Sequence, residues 1–599
     1  MKKTSRILAA VMALCMVLSV TAFASGEASD ETVLSMNASA EAGVTLYAID
    51  ESGLTETASD SAAVKGTVSA AGADGIEMEI TDFSTVGFKV TGGEFTISNS
   101  TITKSVTGPV DANAAGGYIA GVTNGRLVIE NCTFINAGKG GRNGNYTVDC
   151  ESSGEMVVIN SNIIQTGFTG DEGGYTEAIA DPPSNLGLLI SGYARANMSV
   201  GRSQTYYYGS YVETEGWAAM STDSAQSGFA FYSYDSVAKA LHGGYGTYAD
   251  SSCVDWFYAS TLSAAEVGAI ISNNGEIHMR NGDAAEADGA LIYLPADYEV
   301  TENYGDGRSL VEAGRNDFQL HSPDMGGGGA RGDFVAVLDL EDTDLVTSAA
   351  LDAQATLIDW SVDYGPAVAE YVDFIKGANI LVKSTGADID LKNVTAESSS
   401  GVLLLTALNS DSMSRYAKAT DDMTEKYVDM TITDSDLTGD VWHYDYQRNT
   451  AVHLENATWS GAYVTADKAA WDAMWSDDAK AHDYCYWILD TEKYHDGAGV
   501  LSELTIDGSS VWNVTGASNI SVLTVEKGGV INGTVTVDGA EVDVTAGGTW
   551  TGDIVVTAAS GASGEASGAA MNMPDGSMPP PPPADLAPGQ EPPGGFGGI

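Results

Sequence analysis

The sequence predicts an all-β chain wound as a parallel β-helix, with loop and helical insertions and a disordered tail rich in proline and glycine. Three observations carry this. A ten-residue motif recurs, one place in it is reserved for Asn, Asp or Gly, and the residues before that place alternate apolar and polar. The copies are "EFTISNSTIT" (Glu94 to Thr103), "RLVIENCTFI" (Arg126 to Ile135), "EMVVINSNII" (Glu155 to Ile164) and "EIHMRNGDA" (Glu276 to Ala284). "DIDLKNVTAE" (Asp388 to Glu397), "DMTITDSDLT" (Asp429 to Thr438), "AVHLENATWS" (Ala451 to Ser460) and "ELTIDGSSVW" (Glu503 to Trp512) follow.

The reserved place is held by Asn99, Asn131, Asn281, Asn393 and Asn456. Asn160 reads as one place late, as though a residue were inserted, and Asp434 and a shifted Gly508 fill the place elsewhere. Asn, Asp and Gly enter the left-handed backbone region most readily, so each copy reads as strand, single-residue corner, strand. Coils of this kind cannot bury their apolar face alone; stacking makes the core continuous. Stacked Asn side chains are expected to hydrogen-bond along the axis. The motif's intervals run from 22 to 121 residues, so long intervals hold unmarked coils or inserted loops.

Taken in chain order, the N-terminus is a signal peptide. Lys2, Lys3 and Arg6 precede an apolar run from Ile7 to Val20, and Ala22-Phe23-Ala24 places cleavage after Ala24. Cys15 follows Leu14 rather than a small residue, which argues against a lipoprotein signal. Residues 25–70 form a low-complexity lead-in and cap, and residues 71–556 the β-helix. Insertions fall near 410–426 and 464–500; within the latter, 466–483 has helical composition, with Trp471 and Trp475 on one face. Leu523 to Val556 alternates brief Val-rich strands with glycine pairs and reads as narrow terminal coils. Residues 557–599 are the disordered, partly polyproline II tail.

The chain has 599 residues, with 27 Lys and Arg against 82 Asp and Glu, a net charge of −55. Such a surface repels nucleic acid and anionic lipid and suits a secreted, extracellular protein, cell-surface associated or free. No later stretch of about 18 apolar residues appears, so no transmembrane span is expected. Export permits disulfides among Cys132, Cys150, Cys253 and Cys485. Buried free thiols remain the alternative. Spacing favours Cys132 with Cys150 as a pair, and the absence of C-x-x-C argues against zinc.

The Asn-cornered motif resembles exported right-handed parallel β-helix proteins of the pectin-lyase-like fold, over residues 75–556. "SSVWNVTGASNISVLTVEKGGVING" (Ser509 to Gly533) resembles passenger domains of pertactin-like autotransporter adhesins. The chain lacks the C-terminal membrane barrel of the latter and an L-P-x-T-G sorting signal. The first resemblance implies a fold that often carries polysaccharide-cutting enzymes. Their apparatus is not matched: "LHGGYG" (Leu241 to Gly246) is not G-H-G, R-I-K is missing, and the Asp pairs at 421–422 and 477–478 fall in insertions.

Three further groups are candidates. Asp339, Glu341, Asp342 and Asp344 in "DLEDTDL" supply oxygen ligands, Asp342 and Asp344 alternating on one strand side, and could share a Ca²⁺; no cofactor is required. Arg331-Gly332-Asp333 follows four glycines and resembles integrin-binding tripeptides. Between Tyr206 and Tyr258 lie 14 aromatics in 53 residues, against 8% overall. Tyr206, Tyr208, Trp217, Tyr232, Tyr245 and Trp256 are candidates for stacking on sugar rings or anchoring a partner, core filling being the alternative. The expectation is a non-catalytic, adhesin-like binding or scaffold protein for an extracellular glycan or host-surface protein. The competing expectation is a polysaccharide lyase or glycoside hydrolase of the same fold.

Overall fold

The computed structural model describes residues 44–57, 62–105, 116–137, 145–166, 194–294, 307–321, 335–356, 366–383, 385–408, 427–474 and 499–559. The expected signal peptide, Arg331-Gly332-Asp333, the segment 410–426, Cys485 and residues 560–599 lie outside them.

The strands stack as three parallel faces of one β-helix. Face A includes Ala194–Val200, Ala218–Asp223, Tyr245–Asp250 and Val267–Ser272. Face B includes Gln204–Tyr208, Ala230–Tyr234, Val254–Tyr258 and Glu276–Arg280. Face C includes Tyr211–Thr214, Val237–Ala240 and Thr261–Ala264. Each strand pairs in parallel with the strand one coil later. Successive face B strands start at Gln204, Ala230, Val254 and Glu276, so these coils are 26, 24 and 22 residues long.

Alternation along face B builds the core. Ile97, Ile129, Val158 and Tyr207 stand in register and are buried, and Met279, Leu340, Leu391, Ile432, Leu454, Ile506 and Val525 continue the column. Burying one such side chain stabilises by about 1.5–3 kcal/mol, and every coil repeats the gain. Near the far end Trp459 and Trp512 stack with centroids 5.3 Å apart, each indole N–H donating to a glycine carbonyl.

The corner between faces B and C is the motif's reserved place. Asn99, Asn131, Asn160, Asn393 and Asn456 all adopt φ between +44° and +52°. Asn160 is in register with Asn131, since Ile159 pairs with Glu130 immediately before them; no residue is inserted. Gly209, Asp235, Ala259, Asp342 and Asp434 take the same conformation in coils the motif did not mark or marked with Asp.

Two expected corners are corrected. Asn281 is not left-handed: it caps the start of an insertion, its Oδ1 accepting from the Ala284 N–H at 3.1 Å, and the chain leaves the coil there. Gly508 does not take positive φ; Asp507 instead gathers Ser509 and Ser510 into a turn.

The residue after the corner adds a column of axial side-chain bonds to the backbone ladders. Ser161 N–H donates to Ser210 Oγ (3.2 Å), Ser210 N–H to Ser236 Oγ (3.0 Å), and Ser236 N–H to Ser260 Oγ (3.4 Å). Ser260 N–H continues to Ser309 Oγ (3.3 Å). Cys132 stands in the same column and donates its N–H to Ser161 Oγ at 3.0 Å. The expected Asn side-chain bonding is partial: Asn99 donates to Asp74, Asn393 to Asp342 and Asn456 to Asp434, so corner amides meet carboxylates rather than one another.

At the N-terminal end, Ala62–Ser69 and Gly72–Ile80 form an antiparallel hairpin, and Thr45–Asp50 pairs in parallel with Val86–Val90. The expected terminal coils hold only for the first part of Leu523 to Val556: Leu523–Val525 and Val530–Asn532 still pair in parallel with the coil before them, but Asp538-Gly539 with φ of 49° and 79° closes a hairpin after Val530–Val537, and Gly548–Ala558 returns antiparallel to cap the end. A helix at Lys468–Met474 puts Trp471 against face A, as its composition predicts, beside a helix at Pro366–Ile375 that the composition did not mark.

Candidate functional site

The outward side chains of face B form a strip along the axis. Tyr206, Tyr232, Trp256, His278, Asp339, Asp390, Thr431 and His453 stand side by side in register. Strand neighbours lie about 4.8 Å apart, so a stack of coils presents a regular ladder to a long ligand.

The aromatic half of the ladder is roofed. The insertion after Asn281 folds back as a short helix, Ala284–Ala287, and a strap through Leu294. Tyr208 OH donates to the Ala290 carbonyl at 2.7 Å, Tyr258 OH lies 3.2 Å from Asp288 Oδ2, and the Tyr293 ring lies 4.3 Å from Tyr206. Tyr206 and Tyr208 are thereby buried, while Tyr232 and Trp256 are half-buried. Trp217 and Tyr245 lie elsewhere, in a buried cluster on face A with the Arg195 guanidinium 4.2 Å over Trp217. Of the six candidate aromatics, only Tyr232 and Trp256 therefore combine partial exposure with a place on the strip.

A charged network begins where the strap ends. Trp256 stacks on His278 with centroids 4.1 Å apart and planes 11° apart, and the Arg280 guanidinium lies 5.6 Å over the indole. His278 Nδ1 lies 3.0 Å from Asp339 Oδ2, and Arg280 donates to the same carboxylate. Burial opposes charge on Asp339, but hydrogen bonds from His278 and Arg280 outweigh it and lower its pKa.

The next coils are different. Asp388 and Asp390 alternate on one strand and point outward together. Both pKa values are raised, first by desolvation and then by the surrounding carboxylates of Asp339 and Asp429. His453 pairs with Asp429 at 3.1 Å, and that hydrogen bond raises the imidazole pKa. The strip thus combines a carboxylate held ionised, two carboxyls biased toward protonation, two imidazoles and a guanidinium. It can donate to and accept from a hydroxyl-rich ligand, and a carboxyl pair of unlike protonation is what acid–base cleavage of a glycosidic bond requires.

The four acids read as a Ca²⁺ set are drawn apart. A corner at Asp342 (φ 53°) separates Asp339 and Glu341 on face B from Asp344 on face C, so Asp342 and Asp344 do not alternate along one strand. Each acid meets a partner: Arg280 for Asp339, Lys392 for Glu341, Asn393 and Asn281 for Asp342, and Arg308 for Asp344. Among the described residues, no group of three or more His, Cys, Asp or Glu side chains is placed to hold a metal ion.

The expected disulfide is also corrected. Cys132 follows the B–C corner and Cys150 lies on face A, and both are free buried thiols, as is Cys253. Burial pushes the Cys132 thiol up to about 11 and Cys150 up to about 12.

Sequence reasoning did not single out His278, Arg280, Asp388, Asp390, Asp429 or His453. Their signal was present in the motif copies. "EIHMR", "DIDLK", "DMTIT" and "AVHLE" carry charged residues at the outward alternate places, and stacking in register brings these together.

Against known proteins, no family model matches the chain, and no curated protein or solved structure matches it. The fold and the strip define it as a parallel β-helix protein with one chemically organised outer face. No helix among the described residues is long and apolar enough to cross a membrane.

Proposed function

We propose that this is an exported, adhesin-like β-helix protein of the pectin-lyase-like kind, whose face B binds an extracellular glycan. The observation that carries the reading is the Trp256–His278–Arg280–Asp339 network at the strap edge, continued in register by Asp390 and its neighbours. A partly exposed aromatic beside fixed charged donors and acceptors fits a sugar ring, whose apolar face stacks while its hydroxyls are hydrogen-bonded. Affinity measured on a glycan array should fall at least tenfold in Trp256→Ala with the fold intact by circular dichroism. Absence of binding to any glycan, by wild type as well as variant, would sink the reading.

A second reading, a polysaccharide lyase or glycoside hydrolase, is favoured by one observation. Asp388 and Asp390 have raised pKa values beside a histidine and several carboxylates on the same strip. Release of reducing or unsaturated sugars from a polysaccharide panel, abolished by Asp390→Asn, would establish it. Inactivity on the whole panel, with and without calcium, refutes it.

A further inference from the structure

A separate gutter runs along the turns between faces A and B. It encloses about 690 Å³, and its lining includes Glu94, Arg126, Glu155, Arg202, Gln204 and Ser227. These come from five successive coils. Glu94, Arg126, Glu155 and Gln204 stand in one register column, and Ser227 and Gly228 precede the next strand at Ala230. Five coils at about 4.8 Å spacing give a trough roughly 19 Å long, parallel to the axis.

Its floor is bare at two turns because Gly125 and Gly154 leave no room for a side chain. A Cβ on Gly125 (φ +95°) would meet the Gly93 carbonyl at 2.4 Å, and one on Gly154 the Val122 carbonyl at 2.6 Å. Coil therefore meets coil through glycine backbone, and the side chains of the flanking residues form the walls.

The charge balance of the trough is unlike that of the molecule. Glu94 and Glu155 are offset by Arg126 and Arg202, giving zero formal charge on a chain of net −55. Arg126 pairs with Glu155 at 2.9 Å and lies 5.2 Å over the Tyr293 ring at the strap. Tyr206, which Tyr293 covers, lies 3.5 Å from Gln204 through its hydroxyl. The trough is thus an open, elongated, polar channel of mixed donors and acceptors with an aromatic border. Paired charges favour hydroxyls, which both donate and accept, over a polyanion or a polycation.

We propose that this gutter is a binding subsite for an uncharged, linear oligosaccharide of a few sugar units. It rests on the glycan-binding reading above and names the ligand class for a trough adjoining the same strip. The size, the mixed hydrogen-bonding walls and the local neutrality all point to that class.

The test is calorimetric titration of the full chain with cellotetraose, xylotetraose and mannotetraose, and with tetragalacturonate as the charged counterpart. Variants are Ser227→Trp, which fills the trough from an exposed turn, Arg202→Ala, and Trp256→Ala on face B. The expected result is binding of at least one neutral tetrasaccharide, weakened at least tenfold by Ser227→Trp and by Arg202→Ala, with unchanged circular dichroism. Three results overturn the proposal: no neutral tetrasaccharide binds, only tetragalacturonate binds, or both trough variants bind as wild type does. If Trp256→Ala abolishes binding while the trough variants do not, the gutter assignment falls and the face B reading stands. If Ser227→Trp alone misfolds, Arg202→Ala decides.

Discussion

Replacing Ser210 with alanine tests whether the serine column, rather than the corner asparagines, ties coil to coil. In the native chain Ser210 Oγ accepts the Ser161 N–H at 3.2 Å and donates to the Tyr208 carbonyl at 3.0 Å. Both serines are at most 1% exposed, so water does not reach the amide to replace the lost acceptor. Leaving a buried donor unmade costs about 1–3 kcal/mol. In a solenoid that cost is local, because each coil touches only its neighbours. The assay is native-state hydrogen exchange at the Ser161 amide, with urea unfolding alongside. A loss of about 2 kcal/mol speeds exchange there by roughly thirtyfold. Ser210→Cys should cost less, since Cys132 already serves in the same column and accepts from the Ser100 backbone. Unchanged exchange at Ser161 in Ser210→Ala, or a stability change within about 0.5 kcal/mol as for an ordinary surface site, would refute the argument.

Three other outcomes follow from the packing and the buried charges. Burial and the neighbouring Asp223 carboxylate push Asp250 up to about 7, so the folded state holds its proton where the unfolded chain, near 3.9, has lost it. Stability therefore falls as pH rises from about 4 through 7. Asp250→Asn should flatten that slope, adding a few kcal/mol at pH 8 and little at pH 4 in urea melts; an unchanged slope would contradict the assignment. Trp512→Ala removes one ring of the stacked indole pair and an N–H bond to Gly461, so about 3–5 kcal/mol should be lost, with limited proteolysis opening the C-terminal coils first. Cys132, Cys150 and Cys253 are buried and their thiols are biased against ionisation, so peptide-mapped labelling with a thiol reagent at pH 8 should find all three unmodified until urea unfolds the chain.

The corner was legible because it needs a backbone conformation that few residues tolerate. Asn99, Asn131 and Asn393 announce it by residue type alone. Where the surrounding coils hold the backbone, other residues serve. Ala259 adopts φ 45° although "WFYASTLS" holds no Asn, Asp or Gly at the corner, and Gly209 (φ 53°) in "YYYGSYVE" is of the right type but stands in an aromatic run without the motif's apolar–polar alternation. What those coils share with the ones marked by Asn99, Asn160 and Asp434 is the following serine, which makes a buried bond that exists only once coils stack. Asn281 fails for the converse reason. Its residue type suits a corner, but Gly282 and Asp283 lead into a helix whose N-cap is Asp283, and the Asn281 side chain is used instead to accept the Ala284 N–H in the turn before it. The antiparallel ending was misread because Val-rich alternation serves either strand direction, and only the turn at Asp538-Gly539 distinguishes them.

The strip on face B was hidden for a different reason. Alternation tells which residues of one copy point outward, but not which copies lie beside one another. His278 and Asp339 are 61 residues apart in sequence yet 3.0 Å apart in space, because the chain leaves the coil at Asn281 and returns through Ser309–Ala313 and Asn316–His321 before the next face B strand, Val335–Glu341. Insert length is thus almost free to vary, while register is not. A one-residue slip in Val335–Glu341 would turn Leu338 and Leu340 out of the core and Asp339 into it. The apolar residues that stabilise each coil are therefore the same ones that aim its outward charges. The fold can be read from the inward half of the motif, and the chemistry lies in the outward half, which stacking assembles without being constrained by it.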